Sequence, residues 1–203
     1  MNRNARIGSG ALAAGVLLAA LPHITPTVTL VKHADAIKQA IGGAAQYFAR
    51  TVDIGRNDLA SIKREARYTP DQADVRFYYG TDAAGKLTGI MLFPEVDTQH
   101  GPLEVGLALA PDGTVRKVIA TKATVESKPW VEAMVKSGYL NQFTGLHAGA
   151  DAQDVLAHAS HDQLGAMPYF TAEIATVAVQ HGLVLYRVLF APHAGDLETR
   201  SGR

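Results

Sequence analysis

The chain begins with an apolar run and then switches between two periodicities. Residues 7–21 carry no charge, and Arg3 and Arg6 stand before them with no acid. The uncharged stretch continues to Val31, some 25 residues in all, enough to cross a bilayer with some tilt. Two readings fit this pattern. Residues 7–21 alone are short for a span and Pro22 follows them, which suits a cleaved signal peptide. Against that, Ala19-Ala20-Leu21 matches a small-x-small cleavage site poorly, which favours a retained anchor over residues 1–31. The arginine end is then cytoplasmic by the positive-inside rule, and residues 32–194 form a domain on the periplasmic side of the inner membrane. Small residues Gly8, Gly10, Ala14 and Gly15 would let neighbouring membrane helices approach closely.

Beyond the anchor, Ile37, Ala40, Ile41, Ala44 and Phe48 recur at helical spacing and predict a helix over residues 34–50. A second short helix is predicted from an Asn57-Asp58 cap through Ile62 to Ala66. The period then falls to two. Residues 75–79 and 87–93 flank a hairpin loop, and residues 103–109 and 115–121 flank Ala110-Pro111-Asp112-Gly113, a turn signal. Four such strands make an antiparallel sheet. Helices return over residues 129–136 and 168–188, where Phe170, Ile174, Val177, His181 and Val184 share a stripe. The predicted class is α+β, an antiparallel sheet flanked by helices and preceded by one N-terminal transmembrane helix. Residues 195–203 read as a flexible polar tail.

Composition narrows the chemistry. A chain of 203 residues supports one sizeable core. Its 19 basic and 19 acidic residues cancel and are interspersed, leaving no footprint for nucleic acid. With no cysteine, disulfides, thiolate-held iron–sulfur clusters and c-type haem attachment are excluded. Redox work would fall to a flavin, a quinone or a histidine-held metal. No Ser-His-Asp order, phosphate loop or paired-carboxylate constellation is present, so no catalytic residue is assigned.

Several fragments occur in a telling order: Gly85-Lys86-Leu87-Thr88-Gly89, Pro111-Asp112-Gly113-Thr114-Val115, Glu126-Ser127-Lys128-Pro129, Phe143-Thr144-Gly145, and Leu164-Gly165-Ala166-Met167-Pro168-Tyr169. Over residues 34–189 this order resembles the FMN-binding domain family. Its members include a flavin-carrying component of the sodium-pumping NADH:quinone reductase and the corresponding component of Rnf-type complexes. The resemblance implies a membrane-tethered domain whose flavin is joined through a phosphoester to a threonine hydroxyl in a Ser/Thr-Gly-Ala-Thr-x-Ser/Thr motif. Met167 holds that threonine position, and a thioether has no oxygen to esterify. Covalent attachment at this position is therefore excluded. Leu164 and Tyr169 replace further hydroxyl residues, and Pro168 removes one N–H from the first helical turn, although proline suits that place structurally.

The expectation is an accessory or structural subunit of a membrane electron-transfer or photosynthetic-type complex, more a non-catalytic subunit than an oxidoreductase in its own right. Its partners would be the other subunits and the bilayer, and it would carry no cofactor. The alternative is an electron-transfer subunit with non-covalent FMN held by Gly165, Ala166, Met167, Tyr169, Glu126 and Trp130. Removal of the N-terminal segment would instead give a secreted binding protein. His158 and His161, three apart with Asp162 adjacent, could share a metal on one helical face. A surface pair beside a helix start is the commoner arrangement, and no metal ligand is assigned. His147 reads as a solvated loop residue, Trp130 as a helix-start anchor packed on the sheet, and Glu126, Glu132 and Glu173 as solvated acids. The aromatic strand residues Phe77, Tyr78, Tyr79 and Phe93 should divide between the core and the opposite face, which would be a docking surface if left open.

Overall fold

The computed structural model describes residues 25–194. Its architecture is α+β, with a curled antiparallel sheet and helices packed on both faces. Of the anchor expected over residues 1–31, residues 1–24 lie outside the described residues, as does the tail 195–203. The last part of the uncharged run, Thr27–Thr29, is a short edge strand, β1, paired with the strand Val115–Thr124 (β7). Folded structure therefore starts earlier than residue 32, because the backbone of this segment finds its partners in the sheet rather than in a helix.

The helix expected over residues 34–50 divides in two. Helix α1 is His33–Ala40, and the remainder crosses into strand β2, Gln46–Asp53. Gly42 and Gly43 separate them, a costly pair inside a helix, and Gly43 has φ +91°. Ala36, Ala40 and Ile41 do face a core, whereas Phe48 lies on the exposed edge strand, stacked on Tyr79 at 5.3 Å. The next helix, α2, is Arg56–Ala66. Gly55 precedes it, and Asp58 reaches back to accept the Gly55 N–H at 3.1 Å, so the acid sits inside the first turn rather than at the cap.

Strands β3 (Asp74–Thr81), β4 (Leu87–Leu92), β5 (Glu95–Val96) and β6 (Leu103–Leu109) complete the sheet with β7. The order is β1-β7-β6-β4-β3-β2, with β5 pairing β6. The four predicted strands are the central ones, and β1, β2 and β5 extend them. Every residue of β6 is buried, which requires cover on both faces. On one face Glu104, Gly106 and Ala108 lie under α1, where Ala36, Ile41, Met91, Ala108 and Ile119 form a satellite cluster. The other face carries Leu103, Val105, Leu107 and Leu109 into the main core.

That core is closed by α3 (Lys128–Lys136) and above all by α6, Ala166–Leu185, which continues through a π-helical turn at Tyr186–Phe190. Among the described residues one helical run, Ala166–His193, is long and apolar enough to cross a membrane, and most of its apolar window is buried in the fold. Ala172, Ala175, Ala178, Val179 and Leu183 are wholly buried. The stripe read from sequence is one margin of this face: Phe170, Ile174, Val177 and His181 are only half-buried, while Val184 is fully so. Gly182 allows the close seating, since a Cβ there would stand 2.7 Å from Leu107 Cδ2 and 3.1 Å from Pro94 Cγ.

His181 is the polar exception on this helix. Its ring stacks on Tyr68 at 3.8 Å, its Nδ1 is buried with no hydrogen-bond partner, and burial pushes its pKa down to about 4. The unfolded chain binds that proton near pH 6.5 and the folded chain only near pH 4. Stability is therefore intact above pH 6.5, is lost as pH falls through this window, and levels off below it. Because the ring is partly solvated, the loss is roughly 1–3 kcal/mol. Urea denaturation at pH 7.5 and pH 5, followed by circular dichroism, should show this loss in the wild type and a clearly smaller one in His181→Phe. Equal losses in both would assign the pH dependence to other groups.

Candidate functional site

The segment leading into α6 is built from short-range signals. Ser160 caps a one-turn helix, α5 (His161–Leu164), its Oγ accepting the Gln163 N–H at 3.2 Å. Gly165, with φ +80° and ψ 160°, ends that turn and starts α6, and its N–H donates to the His161 carbonyl at 2.7 Å. Ala166, Met167 and Pro168 form the first turn of α6. The Met167 carbonyl accepts the Thr171 hydroxyl at 2.9 Å, which ties the one nearby threonine oxygen into the helix. Thr171 is only 4% exposed, and its hydroxyl is engaged in this bond.

A second group gathers beside this turn, centred on His100, which the sequence pattern did not single out. Thr98 and Gly101 close a tight turn between β5 and β6. The Gly101 N–H donates to the Thr98 carbonyl (2.9 Å), the Thr98 hydroxyl donates to the Gly101 carbonyl (2.9 Å), and the His100 N–H donates to Thr98 Oγ1 (3.0 Å). The turn lies against the end of β7. Thr124 donates its hydroxyl to the His100 carbonyl at 2.8 Å and exchanges backbone-to-hydroxyl bonds with Ser127 across the start of α3. The Ser127 hydroxyl then donates to Thr124 Oγ1 at 2.9 Å. These bonds fix the backbone at His100.

The ring is oriented at both ends. Nδ1 bonds Glu126 Oε1 at 2.9 Å and Nε2 lies 3.2 Å from Gln99 Nε2. Trp130 meets the imidazole edge-to-face at 5.0 Å and Phe170 of α6 does so at 6.0 Å. Thr98, Leu103, Trp130, Phe170 and Ile174 surround what space remains, a cavity of about 20 Å³.

Of the sequence-assigned residues, Glu126 and Trp130 are brought together, with His100 between them. Trp130 packs on the His100 turn and is half-buried there, in addition to starting α3. Gly165, Ala166 and Met167 are consecutive at the start of α6. Tyr169 turns the other way, its ring stacked on His161 at 4.0 Å, and among the described residues no ring contact joins it to Trp130. His158 lies beyond the short helix α4 (Gln153–Leu156), while His161 opens α5, so the pair does not share one helical face. No group of three metal-ligating side chains converges among the described residues. His147 is exposed in its loop, its Nε2 bonding the Asp112 carbonyl at 3.1 Å.

Chemically, the arrangement holds a carboxylate-oriented imidazole within an aromatic cluster around a small cavity. Thr98-Gln99-His100-Gly101 before a strand was the available signal, legible as a turn but silent about where its histidine points.

Gly101 has φ +86°, and a Cβ there would lie 2.4 Å from Thr124 Cγ2. Gly101→Ala should therefore cost roughly 2–4 kcal/mol, combining left-handed strain with a clash. Gly165→Ala, at φ +80° with open space around it, should cost only about 1–2 kcal/mol. Thermal melts of the two variants test this. Trp130, the sole tryptophan, should change its emission only in Gly101→Ala; equal melting losses and unchanged emission would mean that the His100 turn is not braced on β7.

Comparisons with protein-family models, with curated proteins and with solved structures find no match for the chain. The likeness to the FMN-binding domain family thus rests on the order of its motif fragments.

Proposed function

We propose that this protein is a membrane-anchored accessory or structural subunit of a membrane electron-transfer or photosynthetic-type complex, built on an FMN-binding-like domain that has given up covalent flavin. The segment before β1 tethers it to the inner membrane, and the domain stands on the periplasmic side among larger subunits. One observation carries the cofactor part of this reading: the attachment position of the motif is Met167, whose thioether has no oxygen to esterify. A cavity of about 20 Å³ between His100, Trp130 and Phe170 has room for one water. Sites for ring-sized ligands run from roughly 300 Å³ upward. Thr171, the nearest hydroxyl to stand in for the threonine, is buried and engaged.

A domain in this position works by shape. Its backbone is braced at the His100 turn and along α6, which suits holding or spacing neighbours more than exchanging electrons with them. The membrane segment and the family's company supply the complex, and the globular domain supplies the rigid body.

Purification from native membranes followed by SDS electrophoresis and acid extraction tests the reading. The full-length chain should co-purify with larger membrane subunits, give no fluorescent band under ultraviolet light, and release no FMN into the acid extract. A fluorescent band at the mass of the chain would overturn the loss of covalent attachment. FMN in the extract without such a band would favour the non-covalent carrier. Met167→Thr alone should leave the chain unflavinylated, because Leu164, Pro168 and Tyr169 still depart from the motif.

A further inference from the structure

A cavity lies away from the α6 start, where the sheet splits. Strands β4 and β5 keep one register on β6, from Ile90 opposite Leu109 to Val96 opposite Leu103, so they act as a single strand interrupted at Phe93 and Pro94. On the other side β3 pairs with β4 only from Tyr78 to Thr81, while Asp74–Phe77 pairs with β2 alone. Pro94 has no N–H to give across this line. The strands part there, and a cavity of about 490 Å³ opens between them, within the size range of small-molecule sites.

Its walls combine aromatic rings with acids. Tyr68, Tyr78 and Phe93 line it with His33, which stacks on Phe93 at 3.7 Å. Five carboxylates share the lining: Asp71, Asp74, Glu95, Asp97 and Glu104. Lys122 answers Glu95 and Glu104 from behind, and Glu104 also accepts from Thr121 (2.8 Å) and His33 (2.9 Å). Arg76, the one lysine or arginine in the lining, sits over the Tyr78 ring. No ion pair among the described residues engages Asp71, Asp74 or Asp97. Asp74 also stands directly across from Asp53 on β2, a like-charge pairing that disfavours the empty state. His181 completes the lining with its Nδ1 buried and without a partner.

We infer that this cleft binds a small organic cation, a primary amine carrying an apolar or aromatic body. The ammonium supplies the N–H donors that Nδ1 of His181 and the unpaired carboxylates lack, and the body lies on the aromatic walls. An anion meets uncompensated negative charge. A neutral ligand of the same shape leaves that charge unanswered. The inference is independent of the flavin reading, since the cleft shares no residue with the His100 cluster.

Isothermal titration of the detergent-solubilised full-length chain at low salt provides the test, with phenethylamine as the probe and 2-phenylethanol and phenylacetate as neutral and anionic counterparts. Phenethylamine should bind saturably and roughly tenfold or more tighter than either counterpart, with affinity falling as salt rises. His181→Phe preserves the ring on Tyr68 and removes the acceptor, and should weaken the amine roughly tenfold in a chain that is folded by circular dichroism. Asp71→Asn with Asp97→Asn, both at the exposed rim, should weaken it several-fold. Absence of amine binding, equal affinity for 2-phenylethanol, or wild-type affinity in both variants would overturn the assignment.

Discussion

The seating of α6 on β6 is the contact on which the rest of the molecule depends. Gly182 lets the helix backbone come close enough for Leu107 and Pro94 to fill the space where a side chain would stand. Once the helix is there, one of its faces is wholly buried, and β6 becomes a strand with no solvent-facing side. Burying such a face contributes about 25 cal/mol per Å² of apolar surface, and no other helix among the described residues has an apolar face as long. The polar side chains on this face are absorbed locally: Thr176 bonds Tyr139 at 2.7 Å and the Ala172 carbonyl at 2.8 Å.

Fixing the axis of α6 also fixes both of its ends. At its start, Phe170 is carried to the His100 turn and Met167 is placed at the head of the helix. Further along the same helix His181 reaches the split between β3 and β5, where the sheet offers a cavity in place of a packed face. Beyond the start of the π-helical turn, Arg187 reaches Glu65 of α2 and holds its carboxyl below the usual carboxylate range, mainly by hydrogen bonding. One helix thus links a closed site, an open cleft and the packing of α2.

The pattern of apolar positions was enough to locate the four central strands, α2, α3 and α6, because each carries a full period of its own kind. It misread residues 41–50, where Ile41, Ala44 and Phe48 continue a helical spacing by coincidence while Gly42 and Gly43 break the helix and Gln46–Asp53 pairs as an edge strand. β1 and β5 are too short to show a period and exist only through their partners. At the candidate site, Glu126 and Trp130 were legible as a loop acid and a helix-start aromatic. His100 was not, since its role comes from a tertiary meeting of the Thr98–Gly101 turn with β7 and α6. The cleft was equally hidden, because it arises from the divergence of two strands at Pro94. Tyr169 was assigned to the cofactor side, yet it stacks on His161, a rotation about the helix that spacing alone does not set.

A double-mutant cycle at Gly182 and Leu107 tests the dependence on the α6–β6 contact most directly. Denaturant unfolding of the wild type, Gly182→Ala, Leu107→Ala and the double variant gives the coupling between the two sites. With the helix seated through Gly182, the methyl group of Gly182→Ala clashes with Leu107 and destabilises the fold, and Leu107→Ala relieves that clash. The double variant should then be more stable than the sum of the single losses by about 1 kcal/mol or more. Strict additivity, or stabilisation by Gly182→Ala alone through its helix propensity, would contradict the close seating of α6 on β6.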